Sequence, residues 1–399
     1  MSRRPFITSV YSRFRVIKMQ KIELQATKKM VAMAALALTA AVQARAEGSV
    51  TLYGVVDSGI AYIHNSSGHS SQWKMSSSNL SGNQWGLKGN EDLGGGLAAL
   101  FQIESGFDSA SGSLVSAGQL FNRQAYVGLS SSYGTLTLGR QYDPVTDTVQ
   151  PLTSDIFSGW FATPGDVDNF DDSARFSNAV KWVSPSWGGT TAEAMYALGG
   201  VAGSTGSGQT WSAALAYQSG TVSAAAGYLH IDNGNATAGK RGVSTADSLF
   251  NSPVNAAYAS ARSINIGRIA ANYVVGSLTM GAAYSYSEYS ADAASSFSGS
   301  QKYHNGSAFV QYQASPAMTF IGSYNYTRAL GDSSAKYHQI NIGTDYLLSK
   351  RTDIYALAGY QHAMGDNGQG PAEASMGSFA IPAGRSTQEV VVMGLRHRF

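Results

Sequence analysis

Residues 86–107 read Gly-Leu-Lys-Gly-Asn-Glu-Asp-Leu-Gly-Gly-Gly-Leu-Ala-Ala-Leu-Phe-Gln-Ile-Glu-Ser-Gly-Phe. Just before and within the first half, Trp85 and Leu87 fall on one side of a period-two pattern, with Gln84, Gly86 and Lys88 on the other. After the three glycines, Leu97, Ala99, Phe101 and Ile103 alternate with Ala98, Leu100, Gln102 and Glu104. A period of two is that of an extended strand, whose side chains point alternately to opposite faces. Gly94-Gly95-Gly96 is not a nucleotide-cradling loop, because no helical pattern follows it. It reads as a tight turn, and the stretch as an antiparallel hairpin with one apolar and one polar face.

The same pattern repeats from Ser49 to Phe399, in strands of about ten residues whose connections alternate between short and long. The short ones are 92–95, 130–134, 184–189, 219–220, 276–277, 315–316 and 349–351. Longer polar segments lie at 65–72, 109–118, 143–174, 200–208, 233–262, 291–300, 331–335 and 365–385. Seven short and eight long connections join sixteen strands, expected near 49–63, 73–91, 95–108, 119–130, 134–142, 175–184, 189–199, 209–218, 221–232, 263–275, 278–290, 301–314, 317–330, 336–348, 352–364 and 387–399. An even count puts both ends on one side. The expected fold is all-β: a sixteen-stranded antiparallel transmembrane β-barrel, apolar side chains toward lipid and polar ones toward water. Tyrosines crowd the strand ends, among them Tyr53, Tyr62, Tyr284, Tyr286, Tyr324 and Tyr326. They suit interfacial girdles, and tyrosine is also a good strand former.

Composition agrees. Only 13% of residues are charged, about half the usual share, and mean hydropathy is near neutral at −0.12. A helical membrane protein would be far more apolar. The chain has no cysteine, so disulfides cannot hold it. A closed ladder of backbone hydrogen bonds can.

The N-terminal region is separate. Lys28 and Lys29 precede an apolar run, Met30 to Val42, too short to span a bilayer. Ala44-Arg45-Ala46 follows, completing the order of a secretory signal peptide. Residues 1–46 are therefore expected to be removed, leaving 47–399 as the barrel; Met19 and Met30 are candidates for the true start, with 1–18 read as upstream translation. Residues 1–46 hold nine of the 27 basic and one of the 25 acidic residues, so 47–399 carry 18 and 24, a formal charge of −6. The basic precursor is no sign of nucleic-acid binding.

The segment 143–174 is 32 residues long and holds Asp143, Asp147, Asp155, Asp166, Asp168, Asp171 and Asp172, no base, and Phe157, Trp160, Phe161 and Phe170. A loop of this length in a compact domain carries function or is disordered. Apolar anchors with acids fit a loop folded back into the lumen as a constriction; a solvated outer loop attracting Ca²⁺ is the competing reading. Arg123, Arg140, Arg175, Lys181 and Lys88 flank it on the expected strands, and a ring of charged side chains at a constriction sets ion selectivity. Arg123 shares strand parity with Ala125 and Val127. The lumen is favoured for it, because an arginine at the bilayer midplane costs roughly 2–4 kcal/mol. No G-x-S-x-G, H-E-x-x-H, Walker A loop or zinc-type spacing is present, and the seven histidines are scattered. No enzyme, cofactor or resident metal is expected.

Several stretches carry a family resemblance. Ser49-Val-Thr-Leu-Tyr-Gly-Val-Val-Asp57, the hairpin 86–107, Arg123-Gln-Ala-Tyr-Val-Gly-Leu129, Gly134-Thr-Leu-Thr-Leu-Gly-Arg-Gln-Tyr-Asp-Pro144 and the terminal Gly394-Leu-Arg-His-Arg-Phe399 resemble, in order, the Gram-negative general porins of the Burkholderia, Bordetella and Neisseria type. The resemblance spans 47–399. It implies an outer-membrane homotrimer that passes ions and small hydrophilic solutes, in contact with outer-membrane lipid and lipopolysaccharide. It also implies a third loop folded inside and a terminal Phe399 read by the barrel-assembly machinery. It matches the family's wall arginines to Arg123 and Arg175, with Arg140 at the loop's base, and its acidic partners to Asp147 and Asp155. Lys88 and Glu104 join the expected constriction on the water-facing sides of their strands. Where the family has Ser-Arg before Trp-Gly, this chain has Asn83-Gln84, so an eyelet arginine is replaced by Gln84 and strong anion selectivity is not expected. Substrate-specific channels and adhesins are the competing functions. The first is disfavoured by the strand count, and the second has only 233–262 and 365–385 to offer as long outer loops.

Overall fold

The computed structural model describes residues 48–204, 206–232 and 249–399. The expected signal peptide at 1–46, and 233–248 of the fifth long connection, lie outside the described residues. The strands are β1 (Ser49–Ser66), β2 (His69–Ser77), β3 (Gln84–Gly94), β4 (Leu97–Gly106), β5 (Gln124–Ser131), β6 (Gly134–Gln141), β7 (Phe176–Val183), β8 (Thr190–Ala197), β9 (Thr210–Ser219), β10 (Val222–Asp232), β11 (Ser263–Val275), β12 (Leu278–Ser290), β13 (Ser300–Ser315), β14 (Met318–Leu330), β15 (Lys336–Leu347), β16 (Thr352–Met364) and β17 (Thr387–Arg398). A short helix, α1 (Pro144–Val149), follows β6. Each strand pairs antiparallel with its neighbours, and β17 returns to β1, with Val55 opposite Arg398 and His64 opposite Glu389. The sheet therefore closes on itself, which is what lipid requires, and among the described residues only the short β2, paired with β1 alone, keeps an unpaired side.

Seventeen segments make sixteen staves, because β2 and β3 share one place beside β1. β2 pairs with its outer half (Ser58↔Ser77 to Ser66↔His69) and β3 with its inner half (Ser49↔Asn90 to Val55↔Gln84). Between the two ladders β1 advances by Val56 and Asp57 alone, while the other side spends Ser78 to Asn83. The expected single strand 73–91 is thus broken by a six-residue excursion. A second departure is the expected outer loop at 65–72. It is a two-residue hairpin, Ser67-Gly68, with φ of 51° and 79°. Both turn residues in the left-handed region match the twist of the flanking strands.

Alternation is clear where one face meets lipid. On β5, Val127 and Leu129 are 56% and 49% exposed, while Tyr126 turns inward and donates to Gln102 Oε1 at 3.0 Å. On β15, Ile340 and Ile342 are exposed and Tyr337, Gln339 and Asn341 are buried toward the lumen. Inside, Trp160, Phe161, Met376, Ile321, Leu357, Val390 and Val392 form an apolar cluster between the wall and two inward connections, 142–175 and 365–386. Burying each such side chain contributes roughly 1.5–3 kcal/mol. The stack of Trp160 on Phe379, with centroids 3.8 Å apart, adds to that.

Candidate functional site

The connection 142–175 lies inside the barrel. Asp143 starts α1 by accepting from Val145 N (2.8 Å) and Thr146 N (3.3 Å), with Pro144 at the first helical position, a standard way to satisfy the free amides of a helix start. Further on, the wall's inward polar side chains take up the loop's backbone carbonyls. Asn325 Nδ2 donates to Phe161 O at 2.7 Å, Gln339 Nε2 to Trp160 O at 2.8 Å and Arg268 Nη1 to Asn169 O at 2.8 Å. Asn305 Nδ2 and the Ser285 hydroxyl hold Asp168. Irregular backbone at membrane depth needs such partners, and they press the loop against β11–β15.

The opening is left on the other side. A cavity of about 500 Å³ is lined by Arg123, Arg175, Gln84 and the excursion residues Leu80, Ser81 and Gly82 on the wall side. Asp155, Asp171 and Asp172 line it from the loop. Arg123 Nε donates to Glu104 Oε1 at 2.8 Å, and Arg175 Nη2 to Asp172 Oδ1 at 2.8 Å. The ring of Tyr142 stands between the two guanidiniums, 5.8 Å from Arg123 and 5.1 Å from Arg175. Arg123 escapes the strand-parity argument because β5 begins only at Gln124. The preceding Asn122 is pinned to Gly106 N and O at 2.7 and 3.0 Å.

Among the loop acids, burial pushes the Asp155 carboxyl up to about 7. Asp171 is raised well above the usual range, first by burial and then by the charges of Asp172, Asp155 and Asp166. No three His, Asp or Glu side chains gather to hold a metal ion among the described residues.

The remaining sequence-derived candidates sit apart from the cavity. Asp147 forms an ion pair with Lys181 against the wall. Arg140 Nε donates to Asn122 O at 2.8 Å and its Nη1 to Ser177 Oγ at 3.0 Å, at the loop's base. Lys88 is exposed lower on β3, its ammonium 5.1 Å from the Tyr53 ring. Phe399 closes the seam to β1.

The excursion 78–83 was not foreseen as part of the site. Asp57, fully buried, accepts from Leu80 N at 2.6 Å and Ser81 N at 2.9 Å. Asn83 Nδ2 donates to Asp57 O at 3.0 Å and Ser77 Oγ at 2.7 Å. Asn79 ties the excursion to both the far wall and the loop: its Nδ2 donates to Tyr355 OH at 2.8 Å, while Trp160 Nε1 donates to its Oδ1 at 3.2 Å and Ser158 Oγ to its carbonyl at 2.7 Å. The opening therefore has two jaws, the long loop and this bend in the wall. The run Ser76-Ser-Ser-Asn-Leu-Ser-Gly-Asn83, rich in turn formers, was the available signal.

A family model described as Gram-negative porin matches residues 32–366. An outer membrane porin of Bordetella pertussis is 38% identical over 178 residues, covering 41% of this chain and 46% of that one. Outer membrane porin protein 32 of Delftia acidovorans is 29% identical over 394 residues, covering 93% and 99%. Among solved structures, the anion-selective porin from Comamonas acidovorans superposes with a TM-score of 0.70 at 23% identity, over 88% of this chain and all of that one.

Proposed function

The chain belongs to the Gram-negative porins, an outer-membrane diffusion channel and not an enzyme, and from that premise we propose that its opening sorts solutes by a transverse field with little net preference for either ion sign. The observation that carries this is the meeting of Arg123 and Arg175 with Asp155, Asp171 and Asp172 around one cavity, Asp172 ion-paired to Arg175 and Glu104 to Arg123. Opposed charges across a narrow gap orient polar solutes and hold back apolar ones, which must displace ordered water. The relative from Comamonas acidovorans is described as anion-selective. In this chain Gln84 supplies no charge to the cavity, and the loop supplies Asp172 and, above about pH 7, Asp155, so its anion preference is expected to be weaker. Screening over roughly 10 Å at 0.1 M salt makes any preference fade as salt rises.

Reversal potentials under a salt gradient test this. Arg123→Ala and Arg175→Ala should each move the potential toward cation preference, and Asp155→Asn toward anion preference. Asp147→Asn should do less, because Asp147 lies apart from the cavity, paired with Lys181. Because the Asp155 carboxyl is raised to about 7, acidification from pH 8 to 6 neutralises it and shifts wild type toward anions; Asp155→Asn should shrink that shift. If neither arginine variant changes the potential at low salt, the assignment fails.

We further propose that the barrel works as a homotrimer in contact with lipopolysaccharide, that the assembly machinery reads Phe399, and that residues 1–46 are removed on export. The Lys-Lys, apolar, Ala-x-Ala order supports the last. Intact-mass measurement of the outer-membrane form should give a chain starting at Glu47; a mass retaining Met30–Val42 excludes it.

A further inference from the structure

Four long connections, those between β10 and β11, β12 and β13, β14 and β15, and β16 and β17, are tied to one another in a circuit. Ser295 Oγ donates to Ser260 O at 2.9 Å and Ser296 N to Ser260 Oγ at 2.7 Å, joining the first two. Ser298 N donates to Asp332 Oδ2 at 3.3 Å, and Ser333 Oγ to Asp366 O at 2.8 Å. Asn367 Nδ2 closes the circuit by donating to Pro253 O at 3.0 Å. Residues of all four connections line a cavity of about 770 Å³. It shares no lining residue with the cavity at Arg123 and Arg175.

The charge of this cavity is one-sided. Asp332 and Asp366 line it, and among the described residues no lysine, arginine or histidine does. Each carboxylate is held by one oxygen: Asp332 Oδ2 takes the Ser298 amide, and Asp366 Oδ1 accepts from Gly368 N at 2.7 Å. The other oxygen of each has no partner among the described residues, and neither side chain joins an ion pair there. The opposite chemistry comes from an aromatic ring. Phe297 is the single apolar side chain in Ser295-Ser-Phe-Ser-Gly299, yet it is only half-buried and lines the cavity. It is braced edge-on by the buried Tyr258, with centroids 5.0 Å apart and planes at 81°. Tyr258 is fixed in turn: its hydroxyl donates to Asn367 O at 3.5 Å and lies so close to Gly368 that an added Cβ there would run into it.

A carboxylate with a free oxygen takes an ammonium by a charge-assisted hydrogen bond. A braced ring offers contact area to the C–H face of a sugar, and Ser298 and Gln369, which also line the cavity, can exchange hydrogen bonds with hydroxyls. A neutral sugar would leave two carboxylates unbalanced, and a bare metal ion would leave the ring unused. The volume lies within the usual span of small-molecule sites, roughly 300–1,000 Å³. We propose that this cavity binds an amine-bearing saccharide, with its ammonium groups at Asp332 and Asp366, a ring face on Phe297 and its hydroxyls on Ser298 and Gln369. The site is separate from the field at Arg123 and Arg175 and stands whether or not that field sorts ions.

The test is isothermal titration calorimetry of the full barrel, refolded in detergent, with the glucosamine disaccharide and with its di-N-acetylated form. Acetylation keeps both ring faces and removes both charges. Wild type should bind the free amine at least tenfold more tightly. Asp332→Asn with Asp366→Asn retains an acceptor for the Ser298 and Gly368 amides and should abolish that preference. Should the double variant fold poorly, as the heat-shifted gel band reports, each single change should still lower the preference threefold or more. Phe297→Ser should weaken the free-amine disaccharide at least threefold, and 1,4-diaminobutane, which has two ammonium groups and no ring face, should bind wild type at least fivefold more weakly than the disaccharide does. Equal binding of the two disaccharides, or a preference untouched by the aspartate changes, overturns the site. Diaminobutane binding as tightly as the disaccharide overturns the saccharide. Displacement by millimolar calcium chloride, but not by sodium chloride of the same ionic strength, would make the two acids a metal site and overturn the proposal as well.

Discussion

Deletion of Phe399 is expected to cut the yield of closed barrel by tenfold or more, in the cell and in purified refolding alike. The last residue is part of the seam. Phe399 N donates to Gly54 O at 3.0 Å and Gly54 N to Phe399 O at 3.1 Å, continuing the β1–β17 ladder one step beyond Val55 and Arg398. Losing two hydrogen bonds costs roughly 1–3 kcal/mol net, and more where lipid replaces water as the alternative partner. The ring adds to this. It lies so close over Gly54 that an added Cβ would sit 2.4 Å from it, so only glycine lets the terminal ring cap the seam. Gly54→Leu should therefore reproduce the deletion while leaving the terminal residue in place. The heat-shifted band on gels, after refolding into liposomes without any cellular factor, reads closure directly. Wild-type refolding of both variants, with failure only in the cell, would reduce Phe399 to a recognition tag and discard the seam argument.

The barrel was legible because lipid enforces alternation. Wherever one face of a strand meets hydrocarbon and the other the lumen, as at Val127 and Tyr126, the period of two survives in the sequence. Where both faces are wet the pattern vanishes. That is why Asn65 to Gln72, with the composition of a loop, is the tip of a regular hairpin. The break in the second stave was hidden by the opposite effect. Trp73 and Met75 alternate above it, and Trp85 and Leu87 below it, so two ladder segments read as one strand. Arginines just ahead of β5 and β7 could be placed beside the long loop from sequence, and Arg123 and Arg175 line the cavity. The acidic half was only partly legible. Seven aspartates are equivalent in sequence, and the loop's path, fixed by Arg268, Asn305, Asn325 and Gln339 on distant strands, decides that Asp171 and Asp172 meet the cavity while Asp147 turns to Lys181.

The inner jaw makes the second large prediction: Asp57→Ala should yield channels that still form but conduct differently. Its carboxylate is the acceptor for two backbone amides, Leu80 N and Ser81 N, and for the Tyr355 hydroxyl. Removing it leaves two buried donors, Leu80 N and the Tyr355 hydroxyl, and the part-buried Ser81 N unpaired, at roughly 1–3 kcal/mol for each buried one. Two ways of relieving that cost compete. Opening the barrel would sacrifice a closed ladder of sixteen staves, whereas releasing Ser78–Asn83 sacrifices only six residues that pair with no strand. The second is far cheaper, so the excursion gives way and the wall stays shut. Leu80, Ser81 and Gly82 line the cavity, and freeing them widens one side of the opening and lets it fluctuate. Single-channel conductance should rise by something on the order of twofold, with greater current noise, as expected when a pore-lining constriction loosens. Asn79→Ala, which cuts the bridge to Trp160 and Tyr355, should move conductance the same way by less, because Asp57 still grips Leu80 and Ser81. Asp57→Asn keeps an acceptor and should lie near wild type. Surviving Asp57→Ala channels with wild-type conductance and noise would mean that the excursion is only a fold in the wall and not a jaw of the pore.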